Sequence, residues 1–160
     1  HRAIPYPLVL VLLQGGQTIL SLAHKRKAQN EAGKFVLDGE VVEVIVPCKD
    51  PLSAEVVKPF LDAVALGNQP SANLLQLYQG WIDSFIAFQA SLLTGTFCLA
   101  VTKEAAVARH EAVQKCRELE TRIATLRNAA VKEKQMARRV ELNLEIKGLD
   151  GELAEAEGKL

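Results

Sequence analysis

The hydrophobic positions of residues 101–160 follow the spacing of amphipathic helices, in two runs whose phases do not join. The first run covers residues 112–130 and the second covers residues 142–160. In both, apolar side chains recur at alternating intervals of four and three residues, which is the heptad spacing of a coiled coil. The seam positions that we expect to pack against each other or against a partner are Leu119, Ile123, Leu126, Leu142, Ile146, Leu149 and Leu153.

The phase break predicts two helices instead of one. If the first seam continued without interruption, Lys147 and Gly151 would occupy it. The helical register therefore resets between Val131 and Glu141, and we predict an antiparallel coiled-coil hairpin over residues 101–160. One alternative stays open, because residues 131–141 contain neither Gly nor Pro. A single bent helix of about 90 Å could pair with a second copy, which would make the protein a homo-oligomer.

Shorter apolar segments in the first part of the chain predict strands at residues 8–13, 18–24, 35–37 and 40–46. Gly15-Gly16 lies between the first two segments, and Asp38-Gly39 lies between the last two. Both dipeptides favour tight hairpin turns. We expect an antiparallel meander of about four strands. The first strand has no polar alternation, so we expect both of its faces to be covered.

Two helices follow the strands, at about residues 54–66 and 72–94, with apolar side chains at intervals of three or four. Ser53 and Ser71 stand at the expected N-cap positions of these helices, and Thr102 stands before the coiled segment. The predicted fold class is therefore α+β. An α+β core over residues 1–100 precedes the helical hairpin over residues 101–160.

Composition and charge exclude some functions. The net charge is zero, which argues against a protein built mainly to bind nucleic acid. Three cysteines with no regular spacing are typical of a reducing cytoplasm. Polar residues interrupt the long apolar stretch 74–93, so we expect no membrane span.

Two basic clusters are candidate binding sites for nucleic acid or for an acidic partner. The first follows the second predicted strand, and the second lies where the helical register resets. Their members are Lys25, Arg26, Lys27, Lys132, Lys134, Arg138 and Arg139. Five bases and one acid occur between Arg127 and Arg139. The competing interpretation is that both clusters are simply solvated.

No catalytic motif is present, and we predict no catalytic residue, metal site or cofactor. Asp38, Glu40 and Glu43 lie near lysines in the sequence, as the acids of a metal-dependent nuclease do. The spacing does not form an acid-x-Lys element, because Glu43 is followed by Val44 and Ile45. A nuclease is therefore a remote alternative. The sequence favours a protein that is not an enzyme by itself.

Several motifs, in this order, resemble a family of uncharacterised bacterial proteins. The segments that carry the resemblance are 4–7 (IPYP), 20–26 (LSLAHKR), 31–34 (EAGK), 37–42 (LDGEVV), 77–81 (LYQGW) and 133–143 (EKQMARRVELN). The resemblance covers nearly the whole chain, which looks like the C-terminal two-thirds of these proteins. It implies a further N-terminal portion.

Genes of that family often neighbour SNF2-type DNA helicases and DNA methyltransferases in restriction-like or phage-defence clusters. The resemblance therefore implies a setting beside DNA-processing enzymes but assigns no activity to any residue. We expect a non-catalytic accessory or scaffold protein that binds a helicase or methyltransferase partner. The competing expectation is a protein that binds nucleic acid directly through its basic clusters.

Overall fold

The computed structural model describes residues 1, 3–29, 33–47 and 54–160. It confirms the α+β class: a small antiparallel sheet precedes four α-helices, and the last two helices form a hairpin. The chain divides into two compact units, residues 1–99 and residues 100–160. The first unit contains all the described strands and two α-helices, and the second unit contains the hairpin.

The described residues form five strands in two antiparallel sheets. The strands are β1 (Leu10–Gln14), β2 (Gln17–Leu22), β3 (Lys25–Lys27), β4 (Phe35–Leu37) and β5 (Val42–Pro47). The larger sheet has the order β1-β2-β5, and β3 pairs with β4 in the smaller one. β2 is thus the central strand of the larger sheet, and β1 lies at its edge.

The turn between β1 and β2 has the predicted form. Gly15 and Gly16 are the two turn residues, with φ of 59° and 80°, and Gln14 faces Gln17 directly across the ladder. A two-residue hairpin turn with positive φ at both positions matches the twist of the strands that it joins. Glycine adopts this conformation without a steric penalty.

Asp38-Gly39 does not form the predicted hairpin turn. β4 pairs with β3, and β5 pairs with β2, so the two strands beside Asp38-Gly39 are not partners. Four residues separate β4 from β5, whereas two separate β2 from β3. Gly39, with φ of 87°, therefore lies in the connection between the β3–β4 ladder and the β2–β5 ladder. The second of these ladders joins strands that are distant in the sequence. The dipeptide alone could not reveal this distant pairing.

The helices of the first unit are α1 (Ala54–Val64) and α2 (Leu74–Thr94), with a 3₁₀ turn at Leu66–Asn68 between them. Asn73, and not Ser71, is the N-cap of α2, because its side chain accepts the Gln76 N–H at 2.9 Å. The prediction for Ser71 was wrong by two positions. Ser53, the cap predicted for α1, lies outside the described residues.

An aromatic cluster between α1 and α2 forms the centre of the first unit. Phe60 stacks on Phe88 with 4.3 Å between ring centroids, and the Phe60 and Phe85 rings form a T-shaped pair with centroids 5.7 Å apart. α2 also packs on β5, whose inward side chains Val44 and Val46 are buried. Burial of these apolar groups is the main stabilisation of this unit.

The second unit is the predicted helical hairpin. Its helices are α3 (Lys103–Lys132) and α4 (Met136–Glu157). Thr102 caps α3 as predicted, because its hydroxyl accepts the Ala105 N–H at 3.1 Å. The helix is interrupted before Gln135, whose N–H donates to the Glu133 carboxylate at 2.8 Å. The alternative of one continuous helix is therefore wrong.

The predicted seam side chains pack against one another inside the hairpin. Ile123, Ile146 and Leu149 belong to one buried cluster with Cys116 and Leu119, and Leu126 and Leu153 pack at its margin. Ion pairs between exposed side chains join α3 to α4, with Arg122–Glu145 at 2.7 Å. Such exposed pairs contribute little free energy, so the apolar seam holds the hairpin together.

Candidate functional site

Strand β1 exposes apolar side chains on both of its faces. All five of its residues are exposed, and the exposed fraction reaches 80% at Leu13 and 54% at Val11. Among the described residues, β1 pairs with β2 alone, so its other edge is open. The prediction that both faces of this strand are covered is wrong for the described structure.

The reason for this exposure lies in where the helix packs. Val11 and Leu13 pair with Leu20 and Thr18, which pair in turn with Val44 and Val46 of β5. Facing residues in a ladder lie on the same side of the sheet. Val11 and Leu13 are therefore on the helix-facing side. α2 covers that side at β5, where the valines are buried, and leaves it open at β1.

Tyr78 of α2 joins the helix to the chain segments around the sheet. Its hydroxyl accepts the Ala23 N–H at 2.9 Å and donates to the Leu8 carbonyl at 2.9 Å. Burial raises the pKa of the Tyr78 phenol, while the Ala23 N–H acts in the opposite direction. Tyr78 is thus a structural anchor that fixes the segment leading into β1.

A short series of side-chain hydrogen bonds links His24 to the same helix. Its Nε2 is 2.7 Å from Gln79 Oε1, and Gln79 Nε2 donates to Asp83 Oδ1 at 2.7 Å. Since the carboxamide oxygen can only accept, His24 Nε2 carries the proton in this arrangement. No nucleophile takes part in this chain of hydrogen bonds, so its geometry is that of a surface contact between strand and helix.

The basic cluster on β3 is largely engaged within the chain. The Lys25 ammonium donates to the main-chain carbonyls of His1 and Ile4. Arg26 forms an ion pair with Asp38 at 3.3 Å, and Lys27 is exposed. Of the three predicted binding residues, only Lys27 therefore extends from the strand without such a contact among the described residues.

The basic cluster of the hairpin lies around the α3–α4 turn, which we call the hairpin tip (residues 131–139). Arg138 pairs with Glu141 at 2.7 Å, and this hydrogen bond, with the charge of Glu141, raises the pKa of the guanidinium. Lys132 and Lys134 are exposed and form no ion pair within the described part of the chain. The tip thus carries positive charge that its neighbours do not neutralise.

A shallow groove between α3 and α4 adjoins the tip. It is lined by Arg127, Ala130, Val131, Arg139 and Asn143. Arg127 and Asn143 were not among the predicted site residues, because Arg127 stands five residues before the other bases, Asn143 is uncharged, and neither lies in the seam. The antiparallel register brings them together, so an explicit alignment of the two helices would have found them.

Among the described residues, two further reactive side chains, Cys116 and Asp38, are buried or engaged in another contact. Burial, followed by the charges of Glu157 and Glu120, raises the pKa of the Cys116 thiol, which keeps it protonated and unreactive. Asp38 is paired with Arg26. Within the ranges that the structure describes, no three His, Cys, Asp or Glu side chains lie close enough together to bind a metal ion.

The fold defines this chain as an α+β protein with a C-terminal helical hairpin. Residues 1–153 match the family model of a domain of unknown function, DUF4391. The chain therefore belongs to the DUF4391 family. No curated protein and no solved structure matches it significantly. In the described residues, every helix is too short or too polar to cross a membrane.

Proposed function

We propose that this protein is a non-catalytic accessory or scaffold subunit of a bacterial DNA-processing or phage-defence system. In this role it binds a neighbouring SNF2-type helicase or DNA methyltransferase in the cytoplasm. The observation that carries the proposal is the open, apolar edge of β1. The association with DNA-processing enzymes rests on the resemblance of the sequence motifs to bacterial proteins encoded beside such enzymes.

The chemistry of β1 favours a polypeptide partner. An open strand edge offers main-chain N–H and C=O groups to an added strand, and side-chain pockets then give specificity. Residues 3–23 contain no charged side chain, whereas solvent-exposed edge strands are usually protected by charges or by proline. A strand of this composition is stable in water when another chain covers it.

The hairpin seam supports the same role in a different way. Leu119, Ile123, Leu142, Ile146 and Leu149 are buried against one another, so the hairpin folds without a partner helix. In this proposal the hairpin is already folded before a partner binds, and β1 is the surface that binds the partner. The seam residues contribute to partner binding by keeping the hairpin folded.

Substitution of β1 tests the proposal. The full-length protein carrying Val11→Lys and Leu13→Lys would be compared with the parent for binding to the purified helicase and methyltransferase encoded beside its gene. We expect the affinity for one of these partners to fall at least about tenfold, because 1.4 kcal/mol corresponds to that factor. Binding would be measured by surface plasmon resonance.

The matched control is a pair of leucines of comparable exposure elsewhere in the first unit. Leu74 and Leu75 at the start of α2 are 84% and 69% exposed, and changing both to Lys adds the same charge. This control should bind like the parent. The proposal is wrong if both double variants bind equally well, or if the parent binds neither neighbour.

A second candidate function, direct nucleic-acid binding, is favoured by one observation. Lys132 and Lys134 extend from the hairpin tip without an ion pair in the described structure. Exposed cations on a projecting tip can neutralise backbone phosphates and release their counterions. No aromatic side chain lies between residues 127 and 143, so stacking on single-stranded bases is not supported.

A further inference from the structure

The groove beside the hairpin tip has the composition of an anion site. Arg127 and Arg139 contribute guanidinium groups from the two helices, and Asn143 adds a carboxamide. Ala130 and Val131 form its apolar part. None of the five lining residues is acidic. A guanidinium presents several N–H donors in a plane, which matches the oxygens of a phosphate.

The two arginines keep most of their donors available. Arg139 donates to Met136 Sδ at 3.2 Å, and a thioether sulfur is only a weak acceptor. Arg127 pairs with Asp150 at 3.3 Å, with 63% of its side chain exposed. Such a long, exposed ion pair holds the guanidinium weakly, so Arg127 can turn toward an anion in the groove.

The surroundings of the groove add positive potential. Besides the two arginines, the segment between them carries three bases and one acid, and one of these bases, Arg138, is paired with Glu141. α4 begins at Met136 without a side-chain cap and without an acidic residue in its first turn. The Glu133 carboxylate accepts the Gln135 N–H just before this helix, and the main-chain N–H groups of the first turn lie at the positive end of the helix dipole without a side-chain cap. These features strengthen a site that the two arginines define.

We propose that the groove binds a phosphate of the nucleic-acid backbone, and that the duplex backbone is the physiological source. This inference rests on the second candidate function and is independent of partner binding at β1. Arg127 and Arg139 hold the phosphate oxygens from opposite helices, and Asn143 donates from its amide. Lys132 and Lys134 contact neighbouring phosphates. The groove then fixes the position of one backbone phosphate, whereas surface lysines alone would bind phosphates without a defined position.

The test is the salt dependence of duplex DNA binding, measured by fluorescence anisotropy with the full chain. Arg127→Gln and Arg139→Gln are compared with Arg117→Gln, an exposed arginine of α3 outside the groove. Each groove variant should reduce the slope of log K against log salt by about 0.9, the value for one lost phosphate contact. Arg117→Gln should leave the slope unchanged. Unchanged thermal unfolding would show that all three variants fold.

Further measurements separate the possible failures. If the parent binds duplex DNA but all three variants lose affinity equally, binding is diffuse and the groove is not the site. If the parent does not bind duplex at physiological salt, both the groove site and the second candidate function are wrong. Titration with inorganic phosphate, followed by NMR of the arginine side chains, tests whether the groove binds free phosphate instead of a phosphate of the nucleic-acid backbone. Saturable binding of phosphate without duplex binding would overturn the nucleic-acid assignment.

Discussion

The two units of this protein expose different surfaces at β1 and at the hairpin tip. In the first unit, β1 exposes a run of apolar side chains at Leu10–Leu13, and residues 3–23 carry no charge. In the second unit, the hairpin buries its apolar seam and exposes charge, with a basic tip and an acidic region of six acids and one base over residues 141–157. One unit offers apolar surface and main-chain edges, and the other offers an electrostatic surface.

Because of this difference, the two proposed binding functions can be tested separately. Burial of apolar area is insensitive to moderate salt, and attraction to a polyanion weakens steeply with salt. Partner binding at β1 should therefore persist when salt is raised, while binding at the hairpin tip should be lost. Variants in one unit should leave the binding function of the other unchanged, provided that the unit stays folded.

The largest expected effect comes from charging the hairpin seam. Leu149 is 5% exposed, and replacing a buried Leu by Ala alone costs about 2 to 5 kcal/mol. Changing Leu149 and Leu153 to Asp also buries charge without a partner. We expect the hairpin to lose its helical structure, measured by far-ultraviolet circular dichroism. Leu144→Asp, at a position of α4 that is 65% exposed, should keep it. Equal losses in both variants would show that the seam does not hold the hairpin.

A smaller effect is expected at Tyr78 in the first unit. Tyr78→Phe leaves the buried Ala23 N–H and the Leu8 carbonyl without their hydroxyl partner. An unsatisfied buried polar group costs about 1 to 3 kcal/mol. The free energy of unfolding, measured by urea denaturation, should fall by that amount. Tyr6 is 65% exposed, so Tyr6→Phe should change it little. A Tyr78→Phe variant as stable as the parent would contradict the anchoring role of the hydroxyl.

The raised pKa of Tyr78 adds a pH dependence to this prediction. Burial favours the protonated phenol in the folded state, so the folded pKa lies above the unfolded value of about 10. Below the unfolded pKa the stabilisation is fully present, and it is lost as pH rises through the folded pKa. Parent stability should therefore decline above about pH 10. In Tyr78→Phe this decline should be shallower, and an identical decline would exclude Tyr78 as its source.

Glycine substitutions should change the free energy of unfolding by about 1 kcal/mol. The change should be a decrease in the first unit and an increase in the second. Gly16 has φ of 80°, and an L-residue in that left-handed region costs about 1 to 2 kcal/mol. Gly148 lies inside α4 with open space at its Cβ position, and Ala there should stabilise by up to about 1 kcal/mol. Urea unfolding of Gly16→Ala and Gly148→Ala would measure both. A stabilised Gly16→Ala variant would contradict the hairpin turn.

The hairpin could be predicted from sequence because its determinants are local. Heptad spacing and the phase break predict two helices and their facing positions, such as Ile123 and Leu149. The position of the turn was not predictable to the residue. It depends on the Glu133 carboxylate accepting the Gln135 N–H, and a lone glutamate inside a helix-favouring segment gives no such indication.

The sheet was harder to predict from the sequence, because strand pairing is not local. The Gly15-Gly16 turn was predicted since its two strands are adjacent in sequence. The pairing of β5 with β2 joins Val42 to Leu22 across intervening segments, and no short motif encodes that choice. Likewise, the apolar composition of β1 predicts that something covers it but cannot say whether that cover comes from the same chain. The groove at Arg127 and Asn143 depends on a register between helices, which the seam specifies only when both helices are aligned.

The smallest effect on stability, and the sharpest separation of the two surfaces, is expected from neutralising the hairpin tip. Lys132 and Lys134 are exposed and lie outside the seam. Changing both to Gln should alter the free energy of unfolding by less than about 0.5 kcal/mol, the usual limit for surface substitutions. Their contribution to duplex binding should nevertheless be lost, and the salt slope should fall by up to about 0.9 for each lysine.

The contrast with β1 makes this prediction decisive. The Lys132→Gln and Lys134→Gln double variant should bind the proposed helicase or methyltransferase partner with parental affinity, because the hairpin stays folded and β1 is unchanged. The Val11→Lys and Leu13→Lys variant should show the reverse pattern, with normal duplex binding and weakened partner binding. If the tip variant loses the partner as well, the hairpin tip also contributes to partner binding. The separation between an apolar unit for protein and a charged unit for nucleic acid would then be wrong.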